Sequence, residues 1–430
     1  MSVAALAFRG YALLGRLAAP LVRHYLRRRL ARGREEAARL PERLGEAGLP
    51  RPAGPLIWIH GASVGEAQSA LPLVERLRRD WPGLAVLVTS GTVTSARLMG
   101  ERLPPEVIHQ YVPVDLPQAV ERFLDHWRPQ LGIIIESEFW PNLLRGAAAR
   151  DTKLVLLNGR VSADSYRGWA RARPLIVDLL GCFSVIAART SEDRDRLLGL
   201  GAAAVENPGD LKAAAPPLRA DPAKLAEMQD AIADRPRWLA ASTHRGEERA
   251  IGETHRALKS RHPGLLTLLA PRHPGRSAEV RRELEGLGLS VAQRSRAEAV
   301  TPATDVYLAD TIGELGLWYR LAEVVFIGGS LVPHGGQNLL EPAKLDCAIL
   351  TGPHTANFAR LAAEMSDCDA LRHVGGPADL TAAVDDLLGD PPQCRSLAAA
   401  AAGYAEGQAG VLDRTMELLE PLLREADTAG

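Results

Sequence analysis

The sequence predicts an α/β protein made of two doubly wound parallel sheets, each crossed by helices. Three observations carry this. Short runs apolar on both faces alternate with helix-length stretches, the pattern of a parallel sheet covered on both sides. The alternation is interrupted once by a proline-rich stretch and then resumes. The 430 residues, 46% hydrophobic and 24% charged, supply apolar material for more than one core and exclude a disordered or collagen-like chain.

The first set of strands reads LIWIH (56–60), LAVLVTS (84–90), LGIII (131–135), KLVLLN (153–158) and FSVIAA (183–188), with helices such as 66–79 and 117–127 between them. The break falls at 211–222, where Pro216 and Pro217 continue neither a helix nor a central strand. RWLAAS (237–242), LLTLLA (265–270), VYLAD (306–310), VVFIGG (324–329) and CAILTG (347–352) form the second set, and 378–425 reads as helices rich in Ala and Leu. The expected division is an N-terminal helix (1–34), a first α/β domain (35–212), a hinge (213–222), a second α/β domain (223–405) and a closing helix (406–430) returning to the first domain. Facing domains of this kind place their strand C-termini across a central cleft, where ligands of such sheets bind.

A net charge of −1 provides no basic field for nucleic acid. The charge is uneven, however. Residues 1–55 hold eleven arginines against four acids, a surplus of +7, which leaves −8 for the rest. Arg9, Arg16 and Arg23 recur every seven residues and Arg27 follows one turn later, a stripe on one side of a helix. Leu6, Phe8, Leu13, Leu14, Leu17, Leu21, Val22 and Leu26 surround it. No uncharged run of about 18 to 20 residues exists to cross a bilayer centre, and Arg9 and Arg16 interrupt what a secretory signal would keep apolar. The expected state is a helix lying in the interface of an anionic membrane, kinked at Pro20, against the competing reading of a helix packed on the protein's own surface. Cys182, Cys347, Cys368 and Cys394 are scattered, as structural thiols of a reducing compartment are.

Unusual residues gather just after the strands. In WIHGASVGEAQ, Glu66 falls in the first turn of a helix, where two roles are open: a capping carboxylate, or a general base kept ionised by the helix dipole. No GxGxxG or Walker A motif is present, which disfavours a nicotinamide oxidoreductase. In IIIESEFWPN, Glu136 and Glu138 stand two apart, so on an extended segment both would face the cleft, with Trp140 packing and Asn142 capping the next helix. NPGDLK places Lys212, one of only five lysines in an arginine-rich chain, at the hinge, a compact ammonium suited to a cleft cation. In the second half, Arg272 and His273 follow a strand, Gly313 and Glu314 open a helix, and Gly328, Gly329, Ser330, Gly335 and Gly336 precede another. Such turns expose backbone N–H groups that hold phosphate without metal, although Asn338 with Glu341 is also a capping box. Asp193-Arg194-Asp195 and Asp367-Cys368-Asp369 read as solvated surface, so no metal site is expected.

Taken in order, ERLGEAGLPRP, WIHGASVGE, TSGTVTSARLM, PVDLP, ESEFWPN, NGRVSADSYRGW, GDLK, APRHPGR, DTIGELGLWY and HGGQNLLEPAKL resemble the 3-deoxy-D-manno-octulosonic acid (Kdo) transferases over residues 1–360. The resemblance implies a GT-B fold and an inverting, metal-independent glycosyltransferase of lipopolysaccharide biosynthesis that needs no cofactor. It implies CMP-Kdo as donor and the lipid A precursor lipid IVA as acceptor, at the cytoplasmic face of the inner membrane. The first domain would then bind the acceptor and the second the donor. Glu66 matches the family's general base, and Glu136 and Lys212 its transition-state stabilisers. Pro271, Arg272, Gly313, Glu314, Leu315, Asn338, Leu339, Leu340 and Glu341 match its CMP-binding segments. Asp210 departs from the family's GNLK. The alternatives are another GT-B nucleotide-sugar transferase or epimerase at the membrane, and a peripheral membrane protein that senses a nucleotide.

Overall fold

A computed structural model describes residues 3–428. The chain forms two compact units: one holds residues up to Ala215 together with those from Gln408 onward, and the other is Pro216–Gly407.

The first unit carries β1 (Leu56–His60), β2 (Ala85–Ser90), β3 (Ile108–Tyr111), β4 (Leu131–Ile135), β5 (Lys153–Gly159) and β6 (Phe183–Ala188). All pair in parallel, in the order β3-β2-β1-β4-β5-β6. The uninterrupted apolar runs reflect burial on both faces. Leu56 and Trp58 join Phe123, Trp127 and Leu144 on one side of the sheet, and Ile57 and Ile59 join Leu73 and Leu77 on the other. The strand order reverses between β1 and β4, so the loops after these two strands lie side by side, which is where ligands of doubly wound sheets bind.

The final helix, Val411–Thr428, belongs to this unit. It buries Val411, Met416, Leu419 and Leu423 against the second face. Its Arg414 donates from Nε and Nη2 to the Pro208 carbonyl at 3.0 and 2.8 Å. Val411 sits so close to Gly209 that a Cβ there would lie 2.7 Å from its methyl.

The N-terminal helix runs Val3–Ala31, and Pro20 sits inside without ending it. Ala4, Phe8 and Leu26 are buried, whereas Leu6, Leu13, Leu14, Leu17 and Leu21 are 58–73% exposed. Phe8 therefore leaves the apolar stripe and packs inward under the Arg145 guanidinium, 4.6 Å from the ring centre. Tyr11 donates to Asp115 at 3.0 Å and Arg16 faces Glu121 at 3.5 Å. By length and composition the helix suffices to cross a membrane, with only 6% of the apolar window buried in the protein.

The second unit carries β7 (Arg237–Thr243), β8 (Leu266–Pro271), β9 (Val291–Gln293), β10 (Val306–Leu308), β11 (Val324–Ile327), β12 (Ala348–Thr351) and β13 (Arg372–His373). They too are all parallel, in the order β13-β12-β11-β7-β8-β10-β9. Here β7 lies between β11 and β8, which brings together the loops that begin at His244, Arg272 and Gly328.

Candidate functional site

In the first unit the side chains singled out by the sequence meet at the β1–β4 switch point. Ser63 is the N-cap of the helix Val64–Asp80, and Glu66 completes a capping box with it. The Glu66 carboxylate accepts from Ala62 N at 2.6 Å, Ser63 N at 3.4 Å and Ser63 Oγ at 2.8 Å. A carboxylate has about four acceptor positions, so one remains open. The cap is thus built, and it leaves room for a second role.

Glu136 follows β4 with φ of +64°, a left-handed conformation costly for a side-chain-bearing residue. Its amide still donates to Leu157 O at 3.0 Å, which fixes the turn. The turn aims its carboxylate at Lys212, with Nζ to Oε1 at 3.0 Å. Lys212 in turn lies over Gly65, whose Cβ would stand 3.8 Å from Nζ. Glu136, Lys212 and the helix start bearing Glu66 therefore form one cluster.

The Lys212 loop is held by its backbone. Leu211 N donates to Asn158 Oδ1 at 3.0 Å, and Lys212 N donates to Asp210 Oδ1 at 3.0 Å. Asp210, the departure from the family pattern, caps this turn and faces Arg189 at 3.9 Å.

Four expectations change here. The chain bends at Glu136 and Ser137, so Glu138 does not follow Glu136. It accepts the Trp140 indole N–H and lies 3.9 Å from His60 Nε2. Trp140 does not pack either; it is 46% exposed. Asn142 donates to Asp115 O, and the cap of the helix Pro141–Ala148 is Asp115, which accepts from Asn142 N and Leu143 N at 3.1 and 2.9 Å. Asp193 is likewise not solvated: it is buried, accepting from Val161 N and Thr190 Oγ1.

The second unit holds the remaining candidates on adjacent loops. Pro271 ends β8, and exposed Arg272 is fixed by its amide to Thr243 O at 3.0 Å. His244 stacks on His334 at 4.3 Å and meets His273 edge-on at 5.7 Å. Burial first, and then the positive surroundings of His334, His273, Arg272 and Arg276, lower the His244 pKa to about 4, so its ring is neutral at pH 7.

Gly313 has φ of +87° and is exposed together with Ile312, while Leu315 begins the helix Leu315–Leu321. Glu314 is occupied by Lys224 at 2.8 Å, by both Arg294 nitrogens at 3.2 Å and by Thr311. Burial alone would raise its pKa, but these donors bring it to about 2. Its backbone, rather than its carboxylate, is what a ligand would meet.

Asn338 does not make the expected capping box. Its oxygen accepts from Leu340 N at 3.1 Å, its amide donates to Glu341 at 3.2 Å, and the short helix Leu340–Ala343 starts after Leu339 without a side-chain cap. Burial raises the Glu341 pKa despite that donor.

The glycine turn 328–331 also departs from expectation. Its amides are already taken: Gly329, Ser330 and Leu331 donate to the Glu247 carboxylate at 2.7, 3.0 and 2.9 Å, and His244 N adds a fourth bond at 2.8 Å. Glu247 is fully buried, and a Cβ on Gly328 would lie 2.6 Å from Thr243 Cα. This turn binds an internal anion, so these amides are not free for a ligand's phosphate. Sequence reading missed Glu247, His60 and His244; the signal available was a polar residue at the end of a buried strand, followed by Glu at the next helix start. Among the described residues no group of three or more His, Cys, Asp or Glu is arranged to hold a metal ion.

Two parallel α/β units of this kind define a protein of the GT-B fold. A solved structure of that shape, a UDP-N-acetylglucosamine 2-epimerase from Listeria monocytogenes, superposes with a TM-score of 0.59 over 87% of this chain and 98% of its own, at 13% identity. Sequence narrows the class. Residues 38–215 match the family model described as 3-Deoxy-D-manno-octulosonic-acid transferase (kdotransferase). The chain is 36% identical to the 3-deoxy-D-manno-octulosonic acid transferase of Haemophilus influenzae over 90% of this chain and 91% of that protein. It is 35% identical to that of Bordetella pertussis over 96% and 99%. The chain belongs to the Kdo transferase family and is a glycosyltransferase.

Proposed function

We propose that the protein transfers Kdo from CMP-Kdo to lipid IVA with inversion, without a metal ion or other cofactor, at the cytoplasmic face of the inner membrane. The observation that carries this reading is the Glu136–Lys212 ion pair beside the helix start that presents Glu66. Glu66 takes the proton from the attacking sugar hydroxyl at its remaining acceptor position. As CMP departs, the anomeric carbon gains oxocarbenium character. Glu136 favours that positive charge, and Lys212 orients Glu136 and offers an ammonium to the Kdo carboxylate. Exposed Arg160 is a second partner for that carboxylate.

Pro271, Arg272, the 313–315 turn and Asn338–Glu341 hold the CMP, with Arg272 supplying the charge that the glycine turn cannot. Nucleic acid is not a partner. The N-terminal helix keeps the enzyme on anionic lipids, its exposed leucines in the acyl region and exposed arginines such as Arg23 and Arg27 on headgroups. Product mass after incubation with lipid IVA and CMP-Kdo tests the reading: increments of one or more Kdo residues are expected. Product formed only from a UDP-sugar donor overturns it in favour of another nucleotide-sugar enzyme.

A further inference from the structure

Across β1 and β2, in the same sheet as β4, lies a hydrogen-bonded chain that the proposed reaction does not use. The Trp58 indole N–H donates to Thr89 Oγ1 at 2.8 Å. That same oxygen is 2.9 Å from His60 Nδ1, across the β1–β2 pairing in which His60 stands opposite Thr89. With the indole donating, the Thr89 hydroxyl proton is free to point at Nδ1. Nδ1 is also 3.3 Å from the Thr89 carbonyl; the shorter contact to the hydroxyl, with Nδ1 accepting, assigns the imidazole proton to Nε2.

His60 is fully buried, and Nε2 has no hydrogen-bond partner among the described residues; an orphaned buried donor is costly and calls for a partner. The acceptor it faces is Glu138 Oε2 at 3.9 Å, on a side chain 21% exposed. Burial raises the Glu138 pKa, but the neighbouring His60 ring and the Trp140 indole N–H outweigh it and lower it, in keeping with an ionised carboxylate. Trp140, whose indole N–H is also committed to Glu138, is 46% exposed. A carboxylate held from behind, next to an open aromatic ring, is the chemistry of a sugar subsite. The C–H face of a pyranose packs on the indole, and a ring hydroxyl donates to the carboxylate.

We propose that Trp140 and Glu138 bind a pyranose ring of the acceptor, and that His60 is the positioning residue that aims Glu138. This rests on the transferase reading above and deepens it. A membrane-anchoring role for Trp140 is disfavoured, because burying the ring among acyl chains would carry an ionised carboxylate with it.

The test uses the full-length enzyme, CMP-Kdo, lipid IVA and the water-soluble, acyl-free disaccharide headgroup. Wild-type product formation first decides the parent reading. With that established, Glu138→Gln and Trp140→Leu are expected to raise the KM for acceptor at least about tenfold, the loss of one charge-assisted bond or one stacking face. They should leave the KM for CMP-Kdo and vesicle binding unchanged, and weaken headgroup binding by a similar factor. His60→Gln, whose amide nitrogen reproduces the Nε2 donor, should retain wild-type acceptor KM, whereas His60→Asn should behave like Glu138→Gln. Unchanged headgroup binding in the two surface variants overturns the subsite. Loss of vesicle binding in Trp140→Leu with headgroup affinity intact overturns it in favour of an anchor, and equal effects of the two His60 variants overturn the positioning role.

Discussion

The two units solve one local problem differently. Each has a buried strand ending near a histidine, then a glycine, then a glutamate at the start of a helix: His60, Gly61 and Glu66 after β1, His244, Gly246 and Glu247 after β7. Among the described residues Glu66 accepts only from its own cap, in three contacts. Glu247 accepts four amides from two loops and is sealed. The same short pattern thus yields a carboxylate with an acceptor position to spare in one unit and a staple for the glycine turn in the other. What separates them is how many donors surround the oxygen atoms, which spacing along the chain does not reveal.

The contrast is sharpest at Glu66. Glutamine also serves at the third position of a capping box, so Glu66→Gln removes the base and keeps the cap. Turnover should fall about a thousandfold, with CMP affinity from calorimetry and thermal unfolding both as in wild type. A variant that melts early would make Glu66 a staple like Glu247. The converse holds for Glu247→Gln. An amide cannot accept four N–H bonds, so the second unit should lose about 3 kcal/mol in urea unfolding; full stability would break the distinction from the other side.

An intermediate effect is expected at Lys212→Met, which leaves the buried Glu136 carboxylate without its ammonium. The rate of transfer should drop about a hundredfold, and a wild-type rate would remove Lys212 from the proposed machinery. The smallest effect concerns His244. Its folded pKa lies near 4, below the ordinary 6.5, so between these values the unfolded chain binds more protons. Its contribution therefore falls as pH drops from 6.5 to 4. His244→Asn should flatten that part of the stability-versus-pH curve; an unchanged slope would show that the ring is not shielded.

Much of this was legible in the residues. Strands covered on both faces, such as β1 and β4, announce themselves by unbroken aliphatic runs, and Glu66, Glu136 and Lys212 stood out by type and place. The strand β3 did not, because IHQY sets two polar residues side by side at the sheet edge and shows neither an apolar run nor alternation; β9 and β13, of three and two residues, are too short to show a period. The partners of the glycine turn were hidden for a different reason: Glu247 reaches it from some 80 residues away. The divergence of Glu136 from Glu138 was hidden too, since a left-handed residue breaks the two-residue rule that an extended segment would obey.

The grip of Arg414 on Pro208 spans 206 residues of chain. During synthesis, a ribosome will have released Glu66, Glu136 and Lys212 long before the guanidinium that steadies the lysine's loop emerges. A polypeptide cut short before that helix would hold Glu66, Glu136 and Lys212 and still lack the brace beneath the lysine's loop.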